Sequence, residues 1–278
     1  MMKSILLIGQ SNMAGRGFLN EVPAIVNEHI HVLRNGRWQM MGEPIHADRH
    51  LAGVGLASAF AQAWSIDHPN ESIGLIPCAK GGSAISEWQP GSVLMRHALS
   101  EARFAQETSE IIGILWHQGE NDCNQDLYQV YQAQLKQVIT HVRKELDLPH
   151  VPFVIGGLDH LAHAEGFSRT LTQHEEINHI LQTTPQQIPD TYFVTSKGLT
   201  MNPDGIHFNA QSLRRFGLRY YEVFKTLTSL YEPLKDEAVR VKALYERPLS
   251  RNEQMRIEYE KLATGQISFE TFSERLKS

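Results

Sequence analysis

The stretch Ser4-Ile5-Leu6-Leu7-Ile8-Gly9-Gln10-Ser11-Asn12-Met13 decides the fold of this chain. An apolar run of this length that breaks at a glycine reads as a strand buried on both faces and running into a tight turn. Such strands belong to parallel sheets, and open parallel sheets place their ligands at the carboxyl edge, where Ser11 is expected. Similar runs recur at Ile73 to Pro77, Ile111 to Trp116, Val151 to Ile155 and Tyr192 to Thr195, each bounded by Gly, Pro or polar residues. Between them apolar residues fall at helical spacing, as in Leu56, Ala59, Phe60, Ala63 and Trp64, or Leu127, Tyr131, Leu135, Val138, Val142 and Leu146. A third helix is expected after the N-cap candidate Asn209, with Leu213, Phe216, Tyr220, Val223, Phe224 and Leu227 on one face. Strands alternating with helices predict an α/β fold, a doubly wound sheet with helices on both sides.

Two stretches depart from this pattern. Residues from about Phe18 to Leu51 lack clean periodicity and read as a long irregular insertion near the site. After Tyr231-Glu232-Pro233 the chain becomes charged and helical, which suggests a boundary between a main domain at 1–232 and a tail at 233–278. Ser250 to Glu253 forms a capping box ahead of Met255, Tyr259 and Leu262, and a second short amphipathic piece carries Ile267, Phe269, Phe272 and Leu276. Such a tail can dock on the main domain, pair with a second copy to give a homo-oligomer, or bind a partner; a structural helical hairpin is the simplest reading.

The 278 residues carry a formal net charge of -5 with mixed signs, which gives no electrostatic case for nucleic acid or an anionic membrane surface. No apolar run approaches the ~20 residues needed to span a bilayer, and no signal peptide is recognisable, so cytoplasmic residence is the expectation. The cysteines, Cys78 and Cys123, read as reduced thiols and not as a disulfide framework.

Four segments at expected strand ends carry candidate chemistry. Ser11 is a poor nucleophile until an imidazole takes its proton, and a helix starting at the turn would aim free N–H groups at a developing oxyanion; a plain helix cap is the competing reading. Cys78-Ala79-Lys80-Gly81-Gly82-Ser83 offers paired glycines that let backbone approach a ligand, though it lacks the phosphate-loop pattern. Trp116-His117-Gln118-Gly119-Glu120-Asn121-Asp122 bunches polar groups that packing explains poorly; Gln118 can donate to an oxyanion, while Glu120 and Asp122 read equally well as structural acceptors. Met201 to Asn209 contains Asp204 and His207, close enough for the acid to orient the imidazole. The pairs His46/His50 and His160/His163 bring no obvious third metal ligand and read as loop or solvated histidines.

Taken in order, Gly9-Gln10-Ser11-Asn12-Met13, Gly81-Gly82, His117-Gln118-Gly119-Glu120 and Asp204-Gly205-Ile206-His207 resemble the four blocks of the SGNH hydrolase superfamily. They are most similar to its sialate O-acetylesterase and acetyl xylan esterase branch. The resemblance spans residues 3 to 230 and leaves the tail outside. It implies a three-layer α/β/α flavodoxin-like fold and serine-dependent removal of O-acetyl groups from carbohydrates such as sialic acid or xylo-oligosaccharides, without metal or cofactor. It makes Ser11 the nucleophile, His207 the base and Asp204 its orienting acid. The oxyanion would be held by the Ser11 N–H, an N–H from Gly81 or Gly82, and the side chain of Gln118, where the wider superfamily uses asparagine. Gln10, Trp88, Glu120 and Asn121 would bind substrate or support the site, with Trp88 placed to stack on a sugar ring. Two rival readings are a lipase-like or thioesterase member taking longer acyl groups and a catalytically silent carbohydrate-binding protein; the polar insertion before Leu51 argues mildly against an apolar groove.

Overall fold

A computed structural model of the chain describes residues 1–162 and 166–277. The strand opening the sequence is β1 (Met2–Gly9), and it lies at the centre of the sheet. Ile5 and Leu7 face one layer of helices while Leu6 and Ile8 face the other, so every residue of the run is buried. Around β1 the strands β2 (Ile30–Arg34), β3 (Arg37–Met40), β4 (Ile73–Pro77), β5 (Ser109–His117), β6 (Phe153–Gly156) and β7 (Thr191–Val194) stand in the order β3-β2-β4-β1-β5-β6-β7. All neighbours are parallel except β2 and β3. The run β4-β1-β5-β6-β7 is the flavodoxin-like order, and its topological switch point lies between β1 and β5.

One face of the sheet is covered by α2 (Leu56–Asp67) and α6 (Ala210–Thr226), which pack directly on each other. A Cβ at Gly217 of α6 would sit 2.2 Å from the Leu56 carbonyl, so only glycine permits that approach. The other face carries α3 (Val93–Gln106), α4 (Tyr128–Glu145) and α5 (His174–Thr183). The N-cap expected at Asn209 is present, its side chain accepting from the Ser212 N–H at 2.9 Å.

The stretch from Phe18 to Leu51 corrects the expectation of an irregular insertion, because it contains the β2–β3 hairpin at the edge of the sheet. His31, Arg34, Arg37 and Gln39 interrupt the apolar pattern there, as suits a partly solvated edge. Its legible signal was Asn35-Gly36, a two-residue turn with both φ values positive (50° and 69°).

The tail docks on the α2/α6 face. Within α7 (Glu237–Ala243) Glu237 pairs with the buried Arg219; beyond it Leu244 joins the main core and its carbonyl accepts from Gln62 Nε2 at 3.0 Å. The capping box expected at Ser250 forms, and its Glu253, fully buried, also accepts from the Glu28 N–H at 2.8 Å. The helices α8 (Arg251–Ala263) and α9 (Phe269–Lys277) lie further out, with Tyr259 and Phe269 exposed. Among the described residues no helix is long and apolar enough to cross a membrane. Cys78 and Cys123 are buried free thiols, and burial pushes both well above the usual thiol range.

Candidate active site

A cavity of about 890 Å³ opens at the carboxyl edge of the sheet, beside the switch point. Ser11, Gly81, Gly82, Glu120, Asn121, Asp204 and His207 all line it. Ser11 is the first residue of the short α1 (Ser11–Ala14), reached through Gly9 at φ +131°. A Cβ on Gly9 would lie 2.1 Å from the His117 carbonyl, so the turn that delivers Ser11 requires glycine.

Ser11 Oγ lies 3.0 Å from His207 Nε2, and His207 Nδ1 lies 2.8 Å from Asp204 Oδ2. The second carboxylate oxygen of Asp204 accepts the Ile206 and His207 N–H groups at 2.9 and 3.0 Å, so one side chain fixes both the turn and the ring. Burial would raise the Asp204 carboxyl, but these N–H donors and the His207 ring outweigh it and hold it below the usual range. Residues 196 positions apart thus form an acid–imidazole–hydroxyl chain of serine-hydrolase type.

Asn12, part of the first motif but given no role from the sequence, ties that chain together. Its Nδ2 donates to Glu120 Oε1 at 2.6 Å and to the Ile206 carbonyl at 3.1 Å, while its Oδ1 accepts the Phe208 N–H at 3.0 Å. The amide next to the serine therefore grips the backbone on both sides of His207. Glu120 can only accept when ionised, which fixes the orientation of the Asn12 amide. Burial by itself would raise the Glu120 carboxyl, yet its contacts with His117, at 3.2 Å, and Asn12 keep it down at about 2.

The expectation that Gln118 donates to an oxyanion is not met. Gln118 is fully buried, and its Nε2 is engaged by Asp122 Oδ2 at 2.5 Å and by Gln10 Oε1 and the Ser83 carbonyl, both at 3.1 Å. Its Oε1 accepts from Tyr131 at 3.0 Å. Asn121 is the amide that faces the cavity, and its side chain has no hydrogen-bond partner among the described residues. The Gly119-Glu120-Asn121-Asp122 spelling was the signal for it. Burial raises the Asp122 carboxyl against the pull of Gln118 and the Ile85 N–H. Gln10 is buried as well, its Oε1 also accepting the Gly119 and Asn121 N–H groups at 3.3 and 3.4 Å, which shapes the loop that presents Asn121.

The insertion distinguishes the two glycines by their hydrogen bonding. Gly81 N–H donates to Asp48 Oδ2 at 2.7 Å, leaving Gly82, at φ +78°, with the N–H that has no partner among the described residues. Asp48 is paired with Arg16 at 2.6 Å, and Arg49 donates to the Gly81 carbonyl at 3.1 Å. Burial opposes ionisation of Asp48, but Arg16 and the Gly81 N–H prevail and keep its carboxyl low. No periodicity marks Arg16, Asp48 or Arg49 in the sequence, since each acts through a contact distant along the chain. Trp88 corrects a second expectation: it is fully buried, packs edge-on against Trp116 and donates to Ser83 Oγ at 3.0 Å, so no sugar reaches it. His46 and His160 are buried, which pushes them down to about 4 and about 3; His163 lies outside the described residues. Among the described residues no three His, Cys, Asp or Glu side chains gather as a metal site.

This sheet order is that of a flavodoxin-like α/β fold, with the acid–imidazole–hydroxyl chain at its carboxyl edge. Residues 2–226 match the family described as carbohydrate esterase, sialic acid-specific acetylesterase. A probable carbohydrate esterase of Arabidopsis thaliana is 28% identical over 242 residues, covering 79% of this chain and 88% of that protein. Its solved structure aligns with a TM-score of 0.72 at 26% identity, over 81% of this chain and 98% of the other. NanS shares the fold at a TM-score of 0.65 and 16% identity, over 81% of this chain and 97% of that one. The chain belongs to the sialic acid-specific acetylesterase family of carbohydrate esterases, and it is a carboxylic ester hydrolase of the carbohydrate O-acetylesterase type.

Proposed function

We propose that the chain removes acetyl groups from small O-acetylated sugars through an acetyl-enzyme formed on Ser11. The observation that carries this reading is the 3.0 Å approach of Ser11 Oγ to His207 Nε2, with Asp204 behind the ring at 2.8 Å. His207 accepts the serine proton as Oγ attacks the acetyl carbonyl, and Asp204 holds the ring and balances the imidazolium that forms. The tetrahedral oxyanion is held by the Ser11 N–H, the Gly82 N–H and the Asn121 amide, Gln118 acting one layer below. His207 then protonates the departing sugar oxygen, and water, activated by the same imidazole, releases acetate and restores Ser11. Residues 1–232 supply all of these groups, and 233–278 serve as a buttress, with 237–244 on the α2/α6 face and 247–256 against residues 26–41. The two buried unpaired thiols support residence in a reducing compartment such as the cytoplasm.

A fluorophosphonate probe tests the nucleophile. It is expected to label the wild-type protein and to leave Ser11→Ala untouched; labelling that survives in the variant overturns the assignment. Acetate release from O-acetylated sialic acid and acetylated xylo-oligosaccharides then ranks the sugars.

A further inference from the structure

Four large apolar side chains stand in solvent at one cavity mouth: Phe167 (70% exposed), Leu51 (68%), Leu19 (51%) and Phe18 (49%). Single exposed apolar residues are ordinary, but a cluster drawn from separate loops marks a surface that meets something apolar. The cavity, at about 890 Å³, holds far more than an acetyl group, so most of its contact is with the rest of the ester.

The backbone shows which half of the ester this collar meets. The Phe167 N–H donates to the Asp204 carbonyl at 2.9 Å. Next to it Gly166, at φ +55°, comes so close that a Cβ would lie 2.3 Å from the same carbonyl. Phe18 follows Gly17, where a Cβ would lie 2.6 Å from Ala210 Cα, and the Arg16 carbonyl accepts from Asn202 Nδ2 at 2.9 Å. Both aromatics are therefore fastened to the 202–210 segment that carries Asp204 and His207. Leu51 joins Phe18 because residues 53 and 54 pair with Gly15 and Gly17. In acyl transfer the base hands its proton to the leaving oxygen, so the alcohol lies on the side of the base, and the carbonyl oxygen lies toward the donors. The collar thus faces the alcohol, and Gly82 and Asn121 face the acyl oxygen.

We propose that this enzyme reads the alcohol half of its substrate through an apolar face gripped between Phe18, Leu51 and Phe167, and so prefers acetylated sugars bearing an aryl or comparably apolar aglycone. The inference rests on the esterase reading and adds the substrate class to it. The polar character of the insertion argued against an apolar surface, yet the insertion contributes Phe18 and Leu51 to the collar.

The test pairs phenyl and methyl β-D-xylopyranoside, each with and without a single O-acetyl group. Titrated into Ser11→Ala protein, the unacetylated phenyl glycoside is expected to bind about ten- to a hundredfold more tightly than the methyl one, the range that burying an aromatic ring supports. The wild-type kcat/KM ratio for the acetylated pair is expected to follow. Phe18→Ser with Phe167→Ser should bring both ratios toward one. Leu51→Ser, at a side chain too exposed to matter for folding, should lower them part of the way. Equal binding of the two glycosides overturns the proposal. So does a rate gain on lengthening the acyl group from acetyl to hexanoyl without a gain from the phenyl aglycone, because the collar would then belong to the acyl half. A preserved binding preference in Ser11→Ala, with no acetate released by the wild type, overturns the esterase reading and upholds the collar.

Discussion

Beneath Ser11 lies a buried set of amides and carboxylates, Gln10, Asn12, Gln118, Glu120 and Asp122, whereas Phe18, Leu19, Leu51 and Phe167 stand in solvent around the mouth above it. The distribution is the reverse of an ordinary globular surface and core. Buried polar groups are costly unless satisfied, and directional when they are, so the floor sets distances to a fraction of an ångström. Apolar contact has no direction, so the mouth selects a kind of surface without fixing an orientation. Geometry comes from the floor and selectivity from the mouth, and mutations in the two should have different signatures.

The largest effects should come from the groups the floor positions. Ser11→Ala and His207→Ala are each expected to lower kcat by at least about 10⁴-fold with the fold intact, checked by acetate release alongside thermal melting. Removing both together should cost little more than either alone; additive losses would mean the pair does not act as a unit.

Asn121→Ala should lower kcat by about 10²–10³-fold with an unchanged melting temperature, as for loss of one oxyanion donor. Gln118→Ala, one layer lower, should instead cost stability of about 1–3 kcal/mol, because Asp122 and Tyr131 lose a buried partner. Reversed phenotypes for the two amides would return the donor role to Gln118. Asn12→Ala should reduce kcat by about 10²-fold with little change in KM, since the Ser11–His207 distance is no longer set from both sides of the histidine. Asn12→Asp should do worse, because it turns a donor to Glu120 into a second negative charge.

The smallest effect concerns acid. Glu120 sits at about 2 in the folded protein against 4.5 unperturbed, so its contribution is complete above about pH 4.5 and is lost as the pH falls toward 2. Urea midpoints across this window should fall steeply for the wild type and more gently for Glu120→Gln; parallel slopes would show that the floor does not depend on this charge.

How much of this could be read beforehand follows from the range of the forces involved. The strand bounds at Ile73–Pro77 and the caps at Asn209 and Ser250 were legible because apolar periodicity and capping act within a few residues. Ser11, Asp204 and His207 were legible as separate strand-end motifs. The edge hairpin was overlooked because its polar faces hide the pattern, although Asn35-Gly36 marked its turn.

The amino-acid sequence by itself determined a parallel α/β sheet, the strand ends that carry chemistry, and the serine, acid and imidazole that belong there, since burial and turn geometry leave local signatures. Only the tertiary structure decided which of two neighbouring amides faces the cavity, which glycine keeps its N–H, and that Phe18, Leu51 and Phe167 share one mouth. The last two depend on Asp48 and Asp204, which meet Gly81 and Phe167 from more than thirty residues away, while the first depends on Asp122, four residues from Gln118, claiming its amide inside a loop whose shape Gln10 sets from another strand end.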